Sequence, residues 1–418
     1  MICRLNNNAI KLAVYPTKKF KDVTINLRFY FELNVENFVF GDYCSEIITN
    51  QCAAYPSKDA FARQLDYLYG ASIEASIAKA GKTACLSVTA RMINGDFVSE
   101  NLLQQQLALL EEIVFRPNAS TTAFTESLFL EAQDTILANI AREKDNPYSY
   151  AYNRALQIFG AGYPLAITTL DLQQMVITAK NEEVYRWYRQ LIENAYCEII
   201  AVGNLSEASL SDFVAKFAAT PRAEQPTFCY LKEFKNYQEV QETAKIQQSQ
   251  LVLIYSCPFN FLDKDFFTLM VANALFGQLP TSLLFQEVRE KRSLCYSIYS
   301  RLLPHEGGLL VSTGINKAQI ASTVKLIKKL FNQVKKEEFT EEAVTMAKDG
   351  LVNAIQASQD DAGGLISEAL KLLHIKSSLS NEQIIAAILA VDKTRIPSIW
   401  QQLKLETVYS YQQEAENE

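Results

Sequence analysis

Histidine is almost missing from this sequence of 418 residues: His305 and His374 are the only two. Both lie in the second half with no Cys or further His at ligand spacing, so each reads as an ordinary surface or partly buried side chain, not a metal ligand. Paired cysteines are also lacking. Cys3, Cys44, Cys52, Cys85, Cys197, Cys229, Cys257 and Cys295 are scattered, with no C-x-x-C, which points to reduced, mostly buried thiols in a cytoplasmic protein. No apolar run reaches eighteen residues, so no membrane-spanning helix is expected. Basic residues do not exceed acidic ones: 40 Lys and Arg against 47 Asp and Glu give a net charge of -7. Non-specific nucleic-acid binding needs the opposite balance. Glycine and proline are few, at 14 and 11, while hydrophobic residues make up 49%. That composition excludes fibrous and disordered classes. The start, MICRLNNNAIKLAVYPTKK, lacks an apolar core followed by small residues, and no signal peptide is expected.

What is present is a pattern that occurs twice. Val23, Ile25, Leu27, Phe29 and Phe31 alternate with Thr24, Asn26, Arg28 and Tyr30, which predicts a half-buried strand. Phe61, Leu65 and Leu68 follow at helical spacing and stop near Gly70. A strand through Leu86 to Met92 comes next, then long helices over about 99–115 and 125–142, the first halted by Pro117. Tyr196 to Val202 is a short apolar strand. Periodicity fades over 221–247, where Pro221, Pro226 and many Lys, Glu and Gln read as a linker. The order then returns: a strand at Leu251–Tyr255, helices over about 264–276 and 282–291, a hairpin of Tyr296–Leu303 and Leu309–Thr313 around PHEGG, and long helices near 319–334 and 340–358. The length suits two domains of about 200 residues each, here 1–220 and 248–418. The expected class is α+β, each domain a mostly antiparallel sheet with helices packed on one face. The stretch LFNQVKKEEFTEE reads as a solvated charged helix end. Gly160, Gly162 and Pro164 lack the lysine of a phosphate-binding loop.

Several stretches carry a resemblance. The segment SLLFQEVREKRSLCYSIYS, Ser282 to Ser300, resembles the second-domain signature of the insulinase/pitrilysin-like zinc peptidases, most of all the branch with mitochondrial processing peptidase and its bacterial relatives. Tyr55-Pro56 with LDYLYGASIEA, Asp145 with Pro147, FGAGYPL at Phe159–Leu165, Gly203 and QSQLVLIY at Gln248–Tyr255 agree with it. The resemblance implies a two-domain insulinase-like fold. It also implies that Arg289 and Tyr296, seven residues apart, contact the bound peptide: Tyr296 as hydroxyl donor to the developing oxyanion, Arg289 as anchor for a carbonyl or carboxylate.

The family binds zinc through H-x-x-E-H on a first-domain helix and a distant Glu. Aligned from Tyr55-Pro56, that motif falls on Asp42, Tyr43, Cys44, Ser45 and Glu46. Aligned from Gly70 it falls on Cys44 to Ile48, and the distant ligand falls on Asn139. Neither register supplies an imidazole, so no cofactor is expected to be bound by this chain and no hydrolysis by it alone. In two-chain members a zinc-bearing chain can be matched with one that lacks the metal but supplies the Arg and Tyr. The resemblance therefore implies a non-catalytic subunit whose partner is a similar H-x-x-E-H chain carrying zinc, or a second copy of itself, with a peptide as substrate and neither nucleic acid nor membrane involved. A catalytically inert peptide-binding or scaffold protein of the same fold is the alternative.

Overall fold

The structure, a computed structural model, describes residues 3–7, 10–98, 102–218, 221–375 and 379–414. It separates into two units, each discontinuous in sequence. One comprises Met1–Asn139, Asp171–Phe228 and Ser358–Lys376; the other comprises Ile140–Leu170, Cys229–Ala357 and Ser377–Glu418.

The first unit is built on six strands: β1 (Cys3–Asn7), β2 (Ile10–Pro16), β3 (Asp22–Glu32), β4 (Ser72–Ala80), β5 (Thr83–Ile93) and β6 (Cys197–Gly203), in the order β1-β2-β6-β3-β5-β4. All pairs are antiparallel except β2 with β6. The alternation in β3 puts Val23, Ile25, Leu27 and Phe29 on one face, and all four are buried. Helices Val35–Ile48 and Asn181–Asn194 pack with this sheet. The other face is polar in its middle, where the Asn26 amide donates to Ser87 Oγ and Thr89 Oγ1, both at 2.8 Å. It is covered by one helix, Ala362–Ile375, whose Ile366, Ala369 and Leu373 pack on Ala13, Tyr15, Ile200 and Val202.

The second unit holds β7 (Gln238–Ala244), β8 (Ser249–Ser256), β9 (Cys295–Leu303), β10 (Gly308–Ile315) and β11 (Lys404–Gln413), in the order β7-β11-β8-β10-β9. Here β7 with β11 is the parallel pair. The apolar run of β8 is buried on both sides, which is why it shows no alternation. Leu251, Leu253 and Tyr255 join the core with helices Phe266–Asn273, Ile320–Lys335 and Arg395–Trp400. Trp400, fully buried, lies 5.1 Å from Phe276 and 4.9 Å from Phe331 between ring centroids, and its indole N–H donates to the Phe331 carbonyl. Full burial of one such side chain stabilises by about 1.5–3 kcal/mol. Val252 and Ile254 face the other way, against Ala151, Ala155, Leu156 and Phe159 of helix Pro147–Phe159. Each sheet thus has its second face covered by a helix drawn from the opposite half of the sequence.

The span 221–247, read from the sequence as a linker, contains the edge strand β7. Its side chains are largely exposed, so polar Gln and Glu satisfy it and no hydrophobic period marks it. Residues Phe228, Cys229, Tyr230 and Lys232 just before it are buried. Among the described residues, no helix is long and apolar enough to cross a membrane.

Candidate functional site

Arg289 and Tyr296 come together in the second unit through an irregular stretch of chain. The helix Phe266–Asn273 continues into wide, π-type turns at Ala274–Gln278, and a second π-type segment spans Phe285–Glu290. Such turns are often found at functional sites. Buried Leu284 and Val288 anchor the second segment. It ends at Ser293, which adopts a left-handed φ of 50° while its N–H donates to the Arg289 carbonyl at 2.9 Å. The Leu294 N–H donates to the Val288 carbonyl, and β9 starts at the next residue.

This reversal places the Arg289 guanidinium 4.5 Å from the Phe285 ring centroid and 5.5 Å from that of Tyr296. Cation–π attraction therefore orients the group without using its N–H donors. The nearby carboxylate, Glu290, is 3.7 Å from Arg289 Nε and half exposed, a weak pairing in water. Lys291 and Arg292 are instead both engaged by Glu287 at 2.6 Å. Their hydrogen bonds hold the Glu287 carboxyl below its usual range. Tyr296 is 84% exposed, and among the described residues its hydroxyl has no hydrogen-bond partner. The pair thus presents a planar cation and a phenolic donor side by side, suited to a carbonyl or carboxylate oxygen.

The positions aligned with the zinc motif lie on the helix Val35–Ile48, started by Asn34, whose side chain accepts from the Asn37 N–H. Tyr43 is fully buried, stacked on Phe129 at 4.5 Å, with its hydroxyl donating to the Val176 carbonyl and accepting from Gln133. Cys44 is buried; burial, together with Asp42, holds its thiol well above the ordinary pKa. Ser45 is spent on the Asp42 carbonyl at 2.9 Å. Asp42 and Glu46 are half-buried, one turn apart, and burial raises the Glu46 carboxyl. Ile47 and Ile48 are core residues. Asn139 is half-buried on the helix Glu126–Asp145. Zinc requires deprotonated thiolate, imidazole or carboxylate ligands converging in a tetrahedron. One fully buried thiol, two half-buried carboxyls and an amide, with no imidazole among them, do not make that set. Among the described residues, no group of three or more His, Cys, Asp or Glu could hold a metal ion.

Two buried charge clusters escaped the sequence reading. In the first unit Glu198, fully buried on β6, accepts from the Tyr30 hydroxyl at 2.7 Å and the Tyr196 hydroxyl at 3.0 Å. Tyr30 has one proton, given to Glu198, so its oxygen accepts from Arg28 Nε at 3.2 Å; it lies 2.9 Å from His374 Nε2. His374 Nε2 also lies 3.4 Å from Glu198 Oε2, and its ring stacks on Phe228 at 3.8 Å. Burial, then the Glu198 charge, push Tyr30 well above the usual tyrosine pKa. In the second unit Lys232 and Glu406 form an ion pair at 2.5 Å, with side chains 0% and 4% exposed. The only prior signal was polar residues inside apolar runs, such as Glu198 in YCEIIAV. His305 stacks edge-on to Phe261, 5.1 Å away.

The chain has extensive similarity to known proteins. A family model described as Peptidase M16 inactive domain matches residues 178–351. The "Probable inactive metalloprotease YmfF" of Bacillus subtilis (strain 168) is 25% identical over 403 residues, covering 95% of this chain and 94% of that one. A conserved protein from Enterococcus faecalis V583 has a solved structure that superimposes with a TM-score of 0.92 at 25% identity, over 100% of both chains. The structure titled as a peptidase M16 inactive domain from Pseudomonas fluorescens gives a TM-score of 0.73 at 18% identity over 99% and 98%, a likeness of fold alone.

Proposed function

We propose, from the premise that this chain belongs to the inactive, insulinase-like branch of the M16 peptidases, that it acts as the non-catalytic subunit of a two-chain peptidase. The partner is a similar chain that carries H-x-x-E-H, and zinc bound there supplies the activated water. This chain contributes Arg289 and Tyr296 to the peptide held in the site. The observation carrying this reading is their geometry: a guanidinium near two aromatic rings, with only a weak carboxylate pairing, beside an exposed hydroxyl, in a chain whose own motif positions hold no imidazole.

In amide hydrolysis negative charge accumulates on the carbonyl oxygen as the carbon becomes tetrahedral. The Tyr296 hydroxyl donates to that oxygen, and Arg289 fixes a neighbouring carbonyl or carboxylate so that the scissile bond does not drift. Loss of one oxyanion donor lowers kcat by about 10²–10³ in well-studied hydrolases. Loss of the anchor acts on KM as well.

The test is peptide hydrolysis by the H-x-x-E-H relative from the same organism, alone and mixed with this chain, wild type or carrying Arg289→Ala or Tyr296→Phe. Activity appearing only with the wild-type mixture supports the reading. Equal activity without this chain, or with either variant, replaces it with the inert peptide-binding or scaffold reading.

A further inference from the structure

We propose that the exposed side of the helix Ile320–Lys335 is a docking stripe for an acidic segment of a partner polypeptide. Between Lys317 and Lys336 the sequence holds six lysines and no Asp or Glu. Thr323, Ile327, Leu330, Phe331 and Val334 are buried, so one side of this helix belongs to the core; Lys325, Lys329 and Lys336 are exposed, whereas Lys328 is half-buried and Lys335 lies over the Phe331 ring. Lys325, Lys329, Asn332 and Lys336 follow the i, i+4, i+7, i+11 spacing of a single line along it. With Lys328 and Glu338 they border a shallow depression of about 420 Å³.

Among the described residues Lys325, Lys329 and Lys336 have no carboxylate within ion-pair distance, as is also true of Lys18, Lys245 and Lys264; what sets the three apart is that they lie in line along one helix. Lys328 rests over the Tyr237 ring at 5.2 Å. Lys325 lies three and four residues from Lys328 and Lys329, an unfavourable like-charge arrangement on a helix. An anionic partner relieves that repulsion beyond what Glu338, the one carboxylate on the rim, supplies.

The rest of the molecule narrows the partner's chemistry. Outside these six lysines, 34 basic residues face 47 acidic ones, so a broad polyanion such as a bilayer or nucleic-acid duplex meets a mostly acidic surface. A narrow acidic segment meets only the stripe. From Lys325 to Lys336 the stripe runs about 17 Å at 1.5 Å per residue, the reach of about five extended residues. Asn332 between the charges offers both a donor and an acceptor to the segment's backbone.

This inference is independent of the roles given to Arg289 and Tyr296. The full chain is titrated into a fluorescein-labelled octaglutamate peptide and followed by anisotropy at 20 and 200 mM salt. Saturable binding that weakens at least tenfold at the higher salt is expected, because the screening length shortens. The exposed triple variant Lys325→Glu, Lys329→Glu, Lys336→Glu is expected to lose at least tenfold in affinity. A control triple at other exposed lysines, Lys18→Glu, Lys245→Glu, Lys264→Glu, changes the net charge equally and is expected to bind within threefold of wild type. No saturable binding at 20 mM salt, or equal losses in both triples, overturns the proposal. Flotation of the chain with phosphatidylglycerol vesicles that is abolished only by the first triple, without peptide binding, also overturns it in favour of a lipid surface.

Discussion

Replacing Lys232 with methionine probes how the second unit tolerates a buried charge. The Lys232 ammonium lies over the Phe159 ring, 4.3 Å from the centroid, and also donates to the Glu233 carbonyl. Lys232→Met keeps an unbranched apolar side chain there and removes the charge. Glu406 is then left inside the protein with no cation, and its second carboxylate oxygen already lacks a hydrogen-bond partner. Removing one partner of a buried ion pair costs about 3–5 kcal/mol, because the survivor stays desolvated and uncompensated. For a unit of this size each kcal/mol moves Tm by about 2–4 °C, so calorimetry should record a fall of about 6–20 °C. Adding Glu406→Leu to Lys232→Met removes the stranded charge, and the double variant should recover to within about 2 kcal/mol of wild type or exceed it. A single variant that melts within 3 °C of wild type, or a double variant less stable than either single one, would refute the argument.

Other predictions concern acid, thiols and the hairpin. Burial disfavours the Glu242 charge, but hydrogen bonds from Arg154, Tyr150 and Tyr409 outweigh it and hold the carboxyl below the usual Glu range. Its stabilisation is therefore complete above about pH 4.3, the unfolded value, and fades as pH falls through the folded one. Urea midpoints between pH 6 and 3 should drop less steeply in Glu242→Gln than in wild type. Among the described cysteines, Cys295 is half-buried while Cys44, Cys52, Cys85, Cys197, Cys229 and Cys257 are buried. Disulfide-exchange reagent at pH 8 should label Cys295 first and Cys44 only on unfolding; rapid native labelling of Cys44 would contradict its burial. Gly307 closes the β9–β10 turn at φ 76°, where an added Cβ would meet the Cys257 carbonyl oxygen at 2.3 Å. Gly307→Ala should destabilise by about 1–3 kcal/mol in denaturant titration.

Legibility followed how one-sided each element is. In β3 the apolar side chains lie on one face and the polar ones, though mostly buried as well, on the other, so simple alternation marks it. The helix Ile320–Lys335 buries one stripe, and its period of about 3.6 predicts its limits to within a residue. Pro147–Phe159 was hidden because Asp-Asn-Pro resembles a turn. In fact Asn146 caps the helix through its side chain, with Pro147 at the first position, where a missing N–H does no harm. Its buried Ala151 and Ala155 are small, and its tyrosines alternate with Ser149, Ala151 and Asn153, so its apolar side is faint in the sequence. His374 looked ordinary because Glu198 and Tyr30, its partners, are far away in the chain. The Arg289–Tyr296 contact depends on a π-type turn and the left-handed Ser293, which no residue spacing announces. There the family resemblance, not periodicity, pointed to the pair.

The exchanged helices also set an order of events during synthesis. The face of the first sheet that carries Glu198 and Ile200 is finished when β6 leaves the ribosome, but its cover ends at Ile375, about 170 residues later. At about 5–20 residues per second that interval is roughly 9–34 s. Until then a carboxylate placed for burial sits in water beside bare apolar side chains. A fragment ending at residue 220 holds that half-finished surface permanently. The nascent chain therefore passes through a stage in which its first sheet is bare on one face, and both units are complete only once Ala362–Ile375 and β11 have been made.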